Sequence, residues 1–326
     1  MGAIGNLRTG PENRIKHRLF DRQPSSSGGV PPSEDPALST VLKQAPTKGY
    51  LSMFNSKVKL SLIALVAVVA IAIPVIKAQN SSACGQIKDG VLTIGTDDPA
   101  YGPWFVDNTP SNGKGYEAAV AYAVAAQLGY SADKVEWVKV PFNKVIQPGC
   151  KNFDFDINQV SITEERKKAV DFSSGYYDVA QTVITVKGSK IANAKSIADL
   201  KGAKLGAQVG TTSYDTIKNV IAPSQDPAVF DTNDVAKQAL ANGQIDGLVV
   251  DLPTAFYITA VDLTDGLIVG QFPVSAKGEQ FGLVLSKDSK LTKDVTKAVD
   301  ALRANGTLAK IADQWLASTV GAPVLK

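Results

Sequence analysis

From Gly90 to Leu316 the chain alternates short apolar, β-branched runs with segments of helical period, and Gly or Pro marks the joints between them. This restricts the fold, because strands alternating with helices over short connections assemble into open parallel-rich sheets covered by helices. Gly90 to Thr96 reads as a buried strand, Tyr116 to Leu128 as an Ala-rich helix closed by Gly129, and Val135 to Val140 as the next strand. Phe142 to Ile146 is a short helix ended by Pro148-Gly149, and strands come next at Phe153–Ile157, Ala169–Ser173 and Gln181–Val186. A second series runs through a short helix at 197–203, a strand at 204–209, helices at 214–220 and 234–242, and a strand at 245–251. Residues 270–275 cross back to the strand 281–285 and to helices around 291–302 and 308–316. The pattern predicts an α/β fold of two doubly wound lobes joined by two hinge strands, near 181–187 and 270–276. Residues 85–183 and 276–326 form one lobe in this reading, and residues 187–270 the other.

The chain ahead of this region is of another kind. Residues 1–56 are rich in Pro, Ser, Gly and Arg and carry too little apolar surface to offset their ordering entropy, so disorder is expected. In a second reading translation starts at Met53, which places Lys57 and Lys59 directly ahead of an apolar run. That run, Leu60 to Ile76, holds no charge. Its length falls between a signal-peptide core of about 7–15 residues and a spanning helix of about 17–25. Residues 57–83 therefore read as signal peptide or membrane anchor, and both readings export the chain beyond them. Small residues at Ser81 and Ala83 before Cys84 resemble a lipid-attachment box without its usual leucine. Cys84 and Cys150, the two cysteines, are alternatively a disulfide pair in an oxidising compartment. The formal charge of +3 gives no basis for nucleic-acid binding, and the one histidine, His17, leaves no material for histidine triads or His-based metal sites. No cofactor is expected.

The stretch from Phe153 to Arg166 is the richest in chemistry. Phe153, Phe155 and Ile157 alternate with Asp154 and Asp156, the period of a half-buried strand, after which Asn158, Gln159, Ser161 and Thr163 bring polar groups to the strand end. Thr163-Glu164-Glu165-Arg166 reads as a helix cap, and the planar arginine fork suits a small carboxylate. Gly210-Thr211-Thr212-Ser213, ahead of a helix, offers amides to the same anion, and Asp251 at a strand's carboxyl end can accept from an ammonium. Carboxylate and ammonium recognition together describe a free α-amino acid. Each piece alone also has a plain explanation as a surface charge, a capped turn or a loop cap.

The chain resembles the extracellular solute-binding proteins of bacterial polar amino-acid ABC importers. The likeness covers about residues 87–318 and rests on Thr96 to Phe105, Gly115-Tyr116-Glu117, Phe153 to Arg166, Gly210-Thr211-Thr212, Asp246-Gly247 ahead of Asp251, and Leu302 to Ala312. It implies a type II periplasmic-binding-protein fold in which Arg166 clamps the ligand carboxylate, helped by Ser161 and the amides of Thr212 and Ser213. Asp251 would hold the α-ammonium with Asn158 or Gln159 assisting, and Tyr101 and Phe142 would sandwich the ligand side chain. Asn158-Gln159 in place of a small hydroxyl pair, and Gln208 in place of an apolar residue, imply a more polar or smaller pocket. Asp97 or Asp98 would face a cationic side chain, although loop solvation and packing equally explain Asp97, Asp98 and Trp104.

The implied function is capture of a polar amino acid between two closing lobes and its delivery to membrane permease subunits, by a monomer outside the cytoplasmic membrane and without bond breaking. A membrane-tethered amino-acid sensor ectodomain and a small-molecule lyase built on the same fold are the alternatives.

Overall fold

In the computed structural model, which describes residues 86–274, 278–317 and 321–326, the first strand β1 (Leu92–Thr96) is buried along its whole length. A strand covered on both faces carries little polarity, and here Leu92, Ile94 and the small Gly95 are interrupted only by the buried hydroxyl residues Thr93 and Thr96. The chain continues through α1 (Tyr116–Gln127), β2 (Val135–Lys139), the single turn α2 (Phe142–Val145), β3 (Phe155–Asp156), β4 (Val170–Val179) and β5 (Gln181–Val186). It proceeds through β6 (Leu205–Gln208), α3 (Thr212–Thr216), β7 (Ala228–Phe230), α4 (Asn233–Ala241), β8 (Gly247–Asp251), α5 (Leu252–Tyr257) and β9 (Gly266–Gln271). β10 (Glu279–Ser286), α6 (Thr292–Ala304) and α7 (Thr307–Leu316) complete it.

The strands form two five-stranded sheets, ordered β2-β1-β3-β10-β4 and β7-β6-β8-β5-β9. In each sheet three neighbours run parallel, and the fourth position is an antiparallel strand arriving from the other side of the molecule, β10 in the first and β5 in the second. Both sheets therefore reverse order beside β1 and β6, where an open α/β sheet leaves a crevice at the carboxyl ends of its strands.

Helix α1 lies close against the first sheet because Ala118, Ala121 and Ala125 face it. Its start requires glycine. Gly115 has φ +99°, and a Cβ there would stand 2.4 Å from the Trp104 carbonyl oxygen.

Several expectations are corrected by the packing. β3 is two residues long and neither of its faces meets solvent, since Asp154 and Asp156 are as buried as Phe153 and Phe155. Asp154 is covered because its carboxylate accepts from the Thr93 and Ile87 amides at 2.7 and 3.0 Å. The expected helix after Thr163 is one 3-10 turn, Arg166–Lys168, because β4 starts at Val170; Thr163 Oγ1 still accepts from the Arg166 amide at 3.1 Å. The lobe boundaries also move. Gln181 to Ile184 pair with β8, so β5 lies wholly in the second sheet rather than straddling the crossing. At the other end of the chain, the tail leaves the first lobe: Val324 bridges to Gln271, and Leu325, 2% exposed, sits in the second lobe's core.

Among the described residues no helix is long and apolar enough to cross a membrane. Residues 1–56, the 57–83 segment and Cys84 lie outside the described residues, and with them the proposed partner of Cys150.

Candidate functional site

A polar cleft lies between the two sheets at the carboxyl ends of β1, β3, β6 and β8, walled by Asp97, Tyr101, Phe142, Asn158, Gln159 and Ser161 on one side. Gln208, Thr211, Thr212, Ser213, Asn233 and Asp251 line the other side, and Arg166 reaches in from the first lobe. The structure thus gathers all the expected ligand-binding residues except Asp98.

Arg166 is 8% exposed. The turn that carries it points the guanidinium inward, where Nη1 donates to the Ser161 carbonyl at 2.7 Å and Nη2 donates across the cleft to the Gly210 carbonyl at 2.9 Å. The Phe142 ring lies under it, 5.7 Å from its centroid to the guanidinium carbon. Burial lowers its pKa while Glu279, Asp215 and Asp251 oppose that shift, and an arginine stays protonated through such changes. A guanidinium has five donors, and these two bonds leave three for a ligand.

On the opposite wall Gly210 takes φ +73°, and Thr211 caps α3 by accepting from the Tyr214 amide at 3.3 Å and donating to the Gln208 carbonyl at 2.7 Å. Its hydroxyl is therefore committed to the turn, and what the turn offers a ligand is the amides of Thr212 and Ser213 at the start of α3, which have no partner within the helix. Ser213 is likewise turned away, donating to Gln181 Oε1 at 2.7 Å. Asp251 ends β8 and accepts from Gln181 Nε2 at 2.7 Å. Desolvation, then the nearby Glu279, raises its pKa well above the ordinary carboxylate range, while Gln181 and Arg166 pull the other way. An ammonium beside it would restore the charged form.

The first-lobe wall divides the two neighbouring aspartates. Asp98 is exposed and held outward by Lys139 at 2.6 Å and Asn108 at 3.0 Å, which lower its pKa. Asp97 turns into the cleft, accepting from the Asp98 and Phe142 amides at 2.8 and 3.2 Å, with burial raising its pKa. The expectation for Asp98 is therefore corrected in favour of Asp97. Asn158 Nδ2 is buried in the wall with no protein partner among the described residues, so it has bonds to offer, whereas the buried Tyr101 hydroxyl faces Asp234. Gln159 has φ +49° and gives both its amide and its side-chain Nε2 to Glu117, which also accepts from the Tyr176 hydroxyl. Burial holds Glu117 at a pKa of about 7 against those three bonds.

Four participants were not singled out for the cleft from the sequence: Glu117, Gln181, Asn233 and Glu279. Glu279 Oε1 accepts from Ser161 Oγ at 2.6 Å and from Thr212 Oγ1 at 2.7 Å, joining one lobe to the other. The signal for Gln181 was available, since it is a lone amide heading an apolar crossing strand. Glu279 had no comparable signal, because it lies 98 residues from Gln181 and 118 from Ser161.

The lobes also meet at the cleft's rim. Trp104 Nε1 donates to Thr254 Oγ1 at 2.9 Å, 150 residues away, with its ring wedged against Tyr116, Tyr177 and Phe281. A Cβ at Gly102 would meet the Tyr257 ring at 2.5 Å, so only glycine permits this approach.

Two open α/β lobes, closed over a polar cleft that holds an arginine on one wall and an aspartate on the other, define a two-lobe solute-binding protein. Residues 92–318 match the model of bacterial extracellular solute-binding proteins, family 3, and the chain belongs to that family. It is 30% identical to the ABC transporter glutamine-binding protein GlnH of Bacillus subtilis, over 79% of this chain and 96% of that protein. Identity to the L-arginine-binding protein of Pseudomonas aeruginosa is 27%, over 77% of this chain and 95% of that one. Among solved structures, an ancestral arginine-binding protein bound to glutamine superposes with a TM-score of 0.59 at 34% identity, covering 70% of this chain and 99% of that chain.

Proposed function

We propose that the protein binds a free α-amino acid with a polar side chain and serves as the extracytoplasmic substrate-binding component of an ABC importer. The observation that carries this reading is the placement of Arg166 and Asp251 on facing walls of one cleft, a carboxylate-binding fork opposite an ammonium-binding acid. A ligand that touches both lobes interacts fully only when they are shut, so binding favours the closed form, and the closed form is what the permease subunits would accept. The side chain would lie between Tyr101 and Phe142, with Asp97, Asn158, Gln208 and Asn233 around it. That wall suits an amide or a cation, in keeping with relatives named for glutamine and arginine. Nothing in this scheme requires a covalent step, and the ligand leaves unchanged. Residues 57–83 would supply export, as a cleaved leader or a retained anchor.

The reading is tested by calorimetric titration of the full chain in mild detergent with the twenty amino acids, ornithine and cystine, followed by mass spectrometry of the mixture. One-to-one binding with the ligand mass unchanged supports it. Absence of binding, or a changed mass, overturns it.

A further inference from the structure

We propose that Glu279 is a positioning residue that turns the Ser161 and Thr212 hydroxyls into hydrogen-bond acceptors, making them, with Asp251, the recognition site for the ligand's α-ammonium. This role rests on the reading of the cleft as an amino-acid site and lies within it.

Proton counting decides which way the hydroxyls point. An ionised carboxylate can only accept, and a hydroxyl has one proton to give. Glu279 Oε1 lies 2.6 Å from Ser161 Oγ and 2.7 Å from Thr212 Oγ1, whereas the two hydroxyl oxygens stand 3.3 Å from each other. Both protons therefore go to Glu279, and lone pairs are what remain to face the cleft. Lone pairs repel a carboxylate and attract an N–H. Ser161 thus leaves the carboxylate side, to which the sequence assigned it, and joins the ammonium side.

Gln181 completes the arrangement without serving the ligand. One Nε2 proton goes to Asp251 Oδ1 at 2.7 Å, and the other is shared among the Glu279 carboxylate oxygens at 3.2 and 3.3 Å and Thr212 Oγ1 at 3.3 Å, which leaves Thr212 one lone pair for the cleft. Gln181 Oε1 accepts from Ser213. One neutral amide is thereby shared by two acids, and an incoming ammonium is the group that balances their charge. The carboxylate of the ligand is left to Arg166 and the first amides of α3. Because Ser161 and Thr212 belong to different lobes, the ammonium would also be gripped from both sides.

The test compares the full chain with its Glu279→Ala and Glu279→Gln variants. L-Arginine and L-glutamine are titrated alongside their deamino counterparts, 5-guanidinopentanoate and 4-carbamoylbutanoate, which keep the carboxylate and lack the ammonium. The readout is the ratio of amino-acid to deamino affinity for the better-bound pair. Glu279→Ala removes a lobe-to-lobe contact for either ligand and the ammonium's acceptors for the amino acid alone, so the ratio is expected to fall by roughly 10- to 100-fold, the range for a lost charge-assisted hydrogen bond. Glu279→Gln keeps the volume and gives an intermediate loss, which covers the case in which the alanine variant fails to fold. An unchanged ratio in the folded variants, with both ligands weakened equally, overturns the role of Glu279 while leaving the amino-acid reading intact. If the unaltered protein binds none of the twenty amino acids, ornithine or cystine, the amino-acid reading itself falls, and this inference with it; if it binds another of them, that amino acid and its deamino counterpart replace the pair.

Discussion

Replacing Arg166 separates what the cleft does for the ligand from what it does for the fold. Its guanidinium is buried, holds the Ser161 carbonyl within its own lobe and the Gly210 carbonyl across the cleft, and keeps three donors free. Arg166→Ala removes the fork from the ligand carboxylate. Two charge-assisted hydrogen bonds at about 1.5–3 kcal/mol each give a loss of roughly 3–6 kcal/mol, on the order of 10²- to 10⁴-fold in affinity. The fold loses less. The Ser161 carbonyl is left buried without this donor at about 1–3 kcal/mol, a fall in melting temperature of roughly 2–12 °C for a domain of this size. Arg166→Lys keeps the charge but not the planar fork and is expected to lose about 10- to 100-fold. Isothermal titration with the best-bound amino acid reads the first quantity and scanning calorimetry the second. Binding by a folded Arg166→Ala variant within about threefold of the unaltered protein would refute the assignment of Arg166 as the clamp.

Asp251→Asn is expected to weaken α-amino acids by roughly 10- to 100-fold and to spare deamino analogues, and equal losses in titration would remove it from ammonium recognition. Glu117 provides a pH test. Its folded-state pKa of about 7 lies above the ordinary glutamate value of 4.5, so its neutral form favours the native protein; the associated stability is complete below about 4.5, declines as pH rises to about 7, and is then flat. That difference is worth roughly 3 kcal/mol, and Glu117→Gln should remove it from urea unfolding midpoints compared at about pH 4 and pH 8. Trp104→Phe keeps the ring packing but deletes the bond to Thr254 across the rim, with an expected affinity loss of about 2- to 10-fold and little change in unfolding temperature.

The strand and helix alternation was legible because short apolar, β-branched runs alternate with segments of helical period between Gly and Pro joints, and the strand ends then located Arg166, Thr211 to Ser213 and Asp251 at the crevice. What was not legible depends on neighbours that are distant in sequence. Asp154 and Asp156 have the spacing of a solvated strand face, and only the packing around β3 shows that face to be covered. Asp97 and Asp98 are equivalent candidates in one dimension; the pairing of Thr96 with Lys139 on β2 brings the lysine to Asp98 and leaves Asp97 for the cleft. Glu279 required knowing that β10 runs antiparallel between β3 and β4 and so delivers its first residue to the hinge. The polar character foreseen for the pocket from Asn158, Gln159 and Gln208 rests on residues that do line the cleft, although Gln159 is largely held by Glu117.

The destination of the tail limits how the lobes can move. α6 and α7 pack on the first lobe, whereas residues 322–326 lie along β9, with Leu325 N donating to Gln271 O at 2.9 Å and Lys326 O accepting from Ile197 N at 2.9 Å. The backbone therefore passes between the lobes three times, and the third passage is fastened at the root of the second: Gln271, where β9 ends and the chain crosses back, donates its amide to the Pro323 carbonyl at 2.8 Å. Two crossing strands define an axis about which lobes can swing; a third passage fastened beside the second stays near that axis, so it resists sliding of one lobe past the other while leaving the arc of opening free. A dye attached at Lys326 would consequently ride with the second lobe, and paired with one on α1 it would report the opening angle directly.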